Sequence, residues 1–138
     1  MKLYVREPGT ERLLRLASRA AAHRFAVLAL TRVEFHSAIR KRQRLGDIEA
    51  LIATQLIARF EQHLEAKFVR QILSDLILDT AIGLVDRYPL RAYDAVQLAG
   101  CVALKTTSGA QEPVFVSADT QLLQAAQSEG LQCMDPCE

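Results

Sequence analysis

The sequence predicts an α/β protein built around a mostly parallel central sheet. Two short aliphatic runs, residues 25–30 and 113–117, have the composition of strands buried on both faces of a parallel sheet. The segments around them carry apolar residues at three- and four-residue steps, which is helical periodicity. Because this alternation is typical of α/β folds and 138 residues are about one domain, we assign residues 1–138 to a single domain.

The first third of the chain predicts helix, strand and helix in that order. A turn at residues 7–11 precedes a helix that reaches about Ala22, and the strand at 25–30 follows. A second helix then begins at Thr31 and ends near Gly46, a residue type that commonly ends helices in a left-handed conformation.

The middle of the chain predicts two more helices and a short strand between them. Asp47 is expected to cap a helix that continues through Leu64 and lies antiparallel to the one before it. Residues 68–73 alternate weakly, as a short strand does. Ser74 should cap the next helix, which Pro89 ends. Its expected inward residues are Leu76, Ile77, Ala81, Leu84 and Val85.

The last third predicts a helix around Asp94, a surface loop at residues 105–111, the strand at 113–117, and a final helix that Gly130 ends. Residues 131–134 have the composition of an edge strand. Within its helix, Asp94 is in line with an apolar stripe formed by Ala95, Leu98, Ala99 and Val102. A buried charge is costly without a partner, so Asp94 requires a cation, a donor or a metal nearby.

Composition excludes several classes of protein. No apolar run approaches the roughly 20 residues of a membrane span, and the N-terminus lacks the order of a signal peptide, so we expect a cytoplasmic protein without membrane contact. Three cysteines at these spacings indicate reduced structural thiols rather than disulfides or a zinc site. Residues 1–44 hold 11 Lys and Arg against 3 Asp and Glu, a net +8, whereas the remainder carries −7.

Two further carboxylates follow predicted strands. Glu34 comes four residues after Leu30, and Asp119 comes two after Ser117. In an open parallel sheet the C-terminal ends of the strands share one edge, where such folds bind ligands.

Each carboxylate also has a structural interpretation. Thr31 and Glu34 match a capping box, Asp119 could cap the helix from Thr120, and Asp94 could pair with Arg91. Taken together, however, three acids near helix starts supply the oxygen ligands that a hard divalent cation needs. Mg²⁺ or Mn²⁺ held in this way can lower the pKa of a bound water and stabilise the departing oxygen of a phosphodiester.

Four motifs stand in series at residues 2–11, 30–34, 90–99 and 115–119. In order and spacing they resemble the PIN-domain family, and within it the VapC-type ribonuclease toxins of prokaryotic toxin–antitoxin pairs. The resemblance spans nearly the whole chain. The resemblance implies a three-layer α/β/α sandwich and a metal-dependent endoribonuclease, usually a homodimer, restrained by an antitoxin protein that covers the active site. It places Glu34, Asp94 and Asp119 at three of the family's acidic positions, and Ser117 at a neighbouring polar one.

One part of the family pattern has no counterpart in this sequence. Family members typically begin with an apolar strand that ends in an Asp, and only then continue with a helix resembling residues 2–5. We therefore expect an N-terminally truncated domain that lacks the central strand and a fourth acid. Either the natural protein starts upstream of Met1, which we favour because the other three acids fit, or the chain is a catalytically crippled relative.

The sequence leaves two functions open: an RNA-cleaving enzyme, and an inactive protein of the same fold that binds an antitoxin or RNA. In the first, the run Arg40, Lys41, Arg42 and Arg44 would bind RNA phosphates. The alternative is that this run is a solvated helix end, whose charges suit the helix dipole. A receiver-type phosphate-binding domain lacks support, since neither its first-strand carboxylate pair nor its last-strand Lys is present.

Overall fold

The computed structural model describes residues 26–107 and 112–138, and the chain divides into two compact units, Met1–Ile72 and Leu73–Glu138. Both units combine helices with a pair of short parallel strands, which confirms the mixed α/β class. The predicted turn at 7–11 and the helix to Ala22 lie outside the described residues, as do Phe25 and residues 108–111. The assignment to a single domain stays a prediction.

The described part of the first unit, residues 26–72, contains a strand, two helices and a second strand, and these four elements were predicted. They are β1 (Ala26–Leu28), α1 (Thr31–Arg44), α2 (Ala50–Ala66) and β2 (Val69–Gln71). β1 pairs in parallel with β2, in register from Ala26 with Val69 to Leu28 with Gln71. The expectation that the first strand is buried on both faces is wrong: Leu28 is buried, but Ala26 is exposed, because among the described residues β1 pairs with β2 alone.

The two helices of this unit are antiparallel, as the sequence predicts. Arg32 near the start of α1 bonds Glu61 near the end of α2 at 2.7 Å, while Arg40 near the end of α1 lies 3.4 Å from Thr54 near the start of α2. Between these contacts a buried apolar cluster joins the helices. Its members are Phe35, Ile39, Ala53, Phe60 and Leu64.

The junction between α1 and α2 corrects one predicted cap. Gly46 has a φ of 83°, and its amide donates to the carbonyl of Gln43 at 3.0 Å. The amide of Asp47 donates to the carbonyl of Arg42 at 3.0 Å, which completes a Schellman motif. Asp47 therefore closes α1 instead of capping α2, whose N-cap is Glu49.

Over residues 73–107 and 112–138, the second unit contains three helices and two strands. They are α3 (Asp75–Arg87), α4 (Ala92–Thr107), β3 (Val114–Val116), α5 (Thr120–Ser128) and β4 (Gln132–Met134). β3 and β4 pair in parallel, with Phe115 opposite Cys133. Phe115 is buried, whereas its two strand neighbours are 48% and 41% exposed. Burial of this strand on both faces was expected and is wrong, since in the part of the chain that the structure describes β3 pairs with β4 alone.

The predicted ends of α3 are confirmed. The Oγ atom of Ser74 accepts a hydrogen bond from the amide of Ile77 at 3.3 Å, and Tyr88, before Pro89, is extended. Its inward face is narrower than predicted. Ile77, Ala81 and Leu84 are buried, but Leu76 and Val85 are exposed, because each lies about 100° around the helix from a buried neighbour.

α4 continues two turns beyond Cys101 and includes part of the predicted loop. The hydroxyls of Thr106 and Thr107 donate to carbonyls one turn earlier, at 3.0 and 2.9 Å. Lys105 donates to the carbonyl of Gly130 at 2.7 Å. These bonds hold residues 105–107 in the helix, so the prediction of a loop there is wrong. None of the helices formed by the described residues has the length and apolar content that crossing a membrane requires.

Candidate functional site

A pocket of about 240 Å³ lies in the second unit, at the starts of α4 and α5. Two of the three predicted acids line it. The full lining is Pro89, Leu90, Arg91, Asp94, Asp119 and Gln121, and most of its accessible surface is polar. Both helix N-termini contribute to this pocket, because Ala92 begins α4 and Thr120 begins α5.

Asp94 occupies the first turn of α4 at the edge of the apolar stripe. Ala95, Leu98 and Ala99 are 0% exposed, but Asp94 is half-buried and lines the pocket. A carboxylate in the first turn also interacts favourably with the helix dipole. The carboxylate therefore retains access to solvent and does not require the partner that full burial would demand.

Pairing of Asp94 with Arg91 was the structural alternative, and the described residues do not show it. Within the Leu73–Glu138 unit as described, neither side chain forms a hydrogen bond or an ion pair. Both nevertheless line the same pocket. Two opposite charges thus face one pocket without neutralising each other by direct contact.

Asp119 is the N-cap of α5, as its structural interpretation predicted. Its Oδ1 atom accepts a hydrogen bond from the amide of Leu122 at 3.1 Å. The amide of Asp119 in turn donates to Oγ of Ser117 at 3.1 Å, and the amide of Ser117 donates to the carbonyl of Met134 at 3.2 Å. These bonds tie residues 117–119 to β4 and to α5. The cap uses one carboxylate oxygen and leaves Oδ2 for another partner.

Glu34 lies in the other unit, in the first turn of α1, and its side chain is exposed. The capping box proposed for it is not formed. The helix begins one residue earlier than that box requires, with Leu30 as N-cap, and the amide of Glu34 donates to the carbonyl of Leu30 at 3.3 Å. The role of Glu34 as a third ligand stays a prediction.

The two carboxylates of the pocket fit a hard cation in chemistry. Carboxylate oxygens are the preferred protein ligands of Mg²⁺, which keeps several waters and often takes only one or two carboxylates. Among residues 26–107 and 112–138, no group of three or more His, Cys, Asp or Glu side chains is placed to hold a metal ion. Asp94 and Asp119 are therefore the two carboxylates available in the pocket.

The predicted RNA-binding run lies in the last turns of α1, where its residues differ in availability. Arg40 is half-buried and donates to Oε1 of Gln43 at 2.7 Å. Arg42 is also half-buried, whereas Lys41 and Arg44 are exposed. Positive charges there also stabilise the helix C-terminus. Only Lys41 and Arg44 are thus fully accessible to a polyanion.

Among the polar lining residues, sequence reasoning named Arg91 only as a possible partner of Asp94 and did not name Gln121 at all. Its only signal was its place two residues after Asp119, in the first turn of the helix that Asp119 caps. The three free cysteines differ in exposure: Cys101 is buried, Cys133 is half-buried and Cys137 is exposed. Burial raises the pKa of the Cys101 thiol to about 11, which leaves it protonated and unreactive at neutral pH.

No protein-family model matches the chain, and no curated protein matches it either. The function is therefore argued from the pocket and from the residue pattern.

Proposed function

We propose that this protein is a metal-dependent endoribonuclease of the PIN-like, VapC type, the toxin of a type II toxin–antitoxin pair. The observation that carries the proposal is that Asp94 and Asp119, distant in sequence, line one polar pocket. The parallel direction of both strand pairs supports the PIN-like three-layer arrangement, which is part of the proposal.

In this proposal Asp94 and Oδ2 of Asp119 hold Mg²⁺ or Mn²⁺. When bound, the cation supplies a water of lowered pKa and neutralises charge on the departing oxygen of the phosphodiester. Ser117 acts as a positioning residue, because its hydroxyl accepts the amide of Asp119 and fixes the loop that carries this carboxylate. Glu34 is kept as a third ligand on the sequence pattern alone.

The proposal is tested by incubating the 138-residue protein with single-stranded RNA and Mg²⁺ or Mn²⁺. We expect cleavage that excess EDTA abolishes and added Mn²⁺ restores. Asp94→Asn should reduce the rate to that of the EDTA-treated protein. The matched control is Asp79→Asn, which removes the same charge from an exposed position on α3 and should leave the rate unchanged. Cleavage that persists in EDTA, or that survives Asp94→Asn, would refute the proposal.

A second candidate is an inactive protein of the same fold that binds an antitoxin or RNA. It is favoured by the N-cap bond of Asp119, which gives that carboxylate a structural reason to be present. RNA binding without any cleavage in Mg²⁺ or Mn²⁺ would select this candidate. In both candidate functions the proposed partners are a cognate antitoxin and a second copy of this chain in a homodimer. Co-expression of the protein with its genomic neighbour, followed by co-purification, would test for the antitoxin.

A further inference from the structure

The second unit has very few cations, and their contacts distinguish one of them. Between residues 73 and 138 the sequence contains only three Lys or Arg: Arg87, Arg91 and Lys105. Arg87 is paired with Glu129 at 2.8 Å, and Lys105 donates to the carbonyl of Gly130 at 2.7 Å. Arg91 alone, among the cations described in this unit, has no side-chain partner.

The position of Arg91 is unfavourable for the fold itself. It directly precedes α4, which begins at Ala92, so its positive charge lies at the positive end of the helix dipole. Its side chain is exposed, and packing therefore does not explain the residue either. A cation that neither pairs nor packs, at a helix end that disfavours it, is better explained by a ligand than by stability.

The charges of the pocket indicate what that ligand is. Asp94 and Asp119 contribute −2 and Arg91 contributes +1, so the lining alone repels an anion. A divalent cation on the two carboxylates changes this sum to +1, and a phosphate group can then lie against both the cation and the guanidinium. Arg suits this role because its planar fork of N–H donors matches phosphate oxygens in a bidentate arrangement.

We infer that Arg91 is a substrate-binding residue that holds a phosphate of the RNA in this pocket. The inference rests on the proposed function, because it takes the ligand of the pocket to be RNA. The sequence pattern had assigned Arg91 only as a possible partner of Asp94. The inference therefore adds a cation to the site.

The test measures binding separately from cleavage. A short fluorescein-labelled single-stranded RNA of mixed sequence is titrated with the full-length protein in Ca²⁺, its integrity is checked on a gel, and Kd is obtained from anisotropy at several salt concentrations. We expect Arg91→Gln to raise Kd about tenfold or more. The slope of log Kd against log salt should fall by about 0.7, the value for one phosphate contact on a single strand. Arg91→Lys should keep the slope and lose part of the affinity.

The matched control is Arg70→Gln, which removes the same charge from an exposed position on β2. Because this charge makes no phosphate contact, its removal should change Kd by less than about twofold. The thermal unfolding temperature of Arg91→Gln should be no lower than that of the wild type. This result would exclude loss of folding as the cause of weaker RNA binding.

The possible outcomes separate this inference from the proposed function. If the wild type does not cleave RNA but Arg91→Gln binds RNA more weakly than the wild type, the phosphate-binding role of Arg91 is supported and the proposed ribonuclease activity is refuted. Cleavage that is metal-dependent and equally efficient in Arg91→Gln, with unchanged Kd, supports the ribonuclease and overturns the role of Arg91. Absence of RNA binding by the wild type, or equal weakening by Arg70→Gln, also overturns that role.

Discussion

At the scale of single residues, Asp119 shows that a structural and a chemical role can share one side chain. Its cap on α5 uses Oδ1 alone, and the same carboxylate lines the pocket. The sequence presented these two roles as alternatives, because a motif of residue types does not show which oxygen is used. Asp94 was the reverse case: its periodicity indicated burial, yet a position at the start of a helix leaves it half-exposed.

Substitutions at Asp119 should separate capping from metal binding. Asp119→Ala should lower the free energy of unfolding by about 1 kcal/mol, because the amide of Leu122 loses its acceptor. Asp119→Asn keeps an N-cap acceptor and should unfold like the wild type, while RNA cleavage is lost. Urea unfolding and a cleavage assay measure the two effects.

The control for this prediction is Ser74→Ala, which removes the N-cap bond of α3 without touching the pocket. It should cost a similar free energy, about 1 kcal/mol, and leave cleavage intact. Full activity in Asp119→Asn would remove Asp119 from the proposed metal site.

At the scale of elements, the ends of α3 and α5 are joined by a contact that the sequence did not predict. Glu129, just after α5, accepts a hydrogen bond from the hydroxyl of Tyr88 at 2.6 Å and one from Arg87 at 2.8 Å. The partners are 41 and 42 residues apart, which is why no local pattern indicated them. Element types were predictable from periodicity and caps, whereas contacts between elements depended on the packed fold.

This contact should make stability depend on pH in the acid range. The hydrogen bond from the hydroxyl of Tyr88 holds the pKa of Glu129 below its usual value; burial opposes this effect, and the hydrogen bond and charge of Arg87 add to it. A depressed pKa contributes stability above the unfolded-state pKa of about 4.3, and that contribution is lost as pH falls through the folded-state pKa. The wild type should therefore lose more stability than Glu129→Gln when thermal unfolding is followed from about pH 6 to pH 3.

Asp79→Asn is the control for the acid dependence, since Asp79 is an exposed acid of the same unit. The stability of this variant should fall with pH in the same way as that of the wild type. An identical acid dependence in Glu129→Gln and the wild type would show that the contact with Tyr88 and Arg87 contributes nothing in solution.

The helix pair of the first unit depends on its aromatic contact. The rings of Phe35 and Phe60 stack with centroids 4.1 Å apart, inside the cluster that joins α1 to α2. Phe60→Ala should reduce the free energy of unfolding by about 3 to 5 kcal/mol. Leu51→Ala, on the same helix but at a position 66% exposed, should cost far less. Equal losses in urea unfolding would contradict the assignment of the core.

At the scale of the whole molecule, the sequence divides charge unevenly, with +8 in residues 1–44 and −7 in the rest. This asymmetry has two interpretations: a basic face that steers a polyanion, and a solvated surface whose two halves attract each other weakly. Composition does not say which cations are free, however. Arg40 bonds Gln43 and Thr54, so the structure leaves Lys41 and Arg44 as the exposed members of the predicted RNA-binding run.

A double charge reversal therefore tests whether this run binds RNA. If Lys41 and Arg44 each contact a phosphate, Lys41→Glu with Arg44→Glu should raise Kd for single-stranded RNA and lower the salt slope by about 1.4, because two counterion-releasing contacts are lost. The control variant carries Arg59→Glu and Lys67→Glu, which alter the net charge by the same amount. Both residues are exposed; Arg59 lies in α2 and Lys67 directly follows it. An unchanged slope in the first variant would instead assign Lys41 and Arg44 to stabilisation of the α1 C-terminus, where positive charge interacts with the helix dipole.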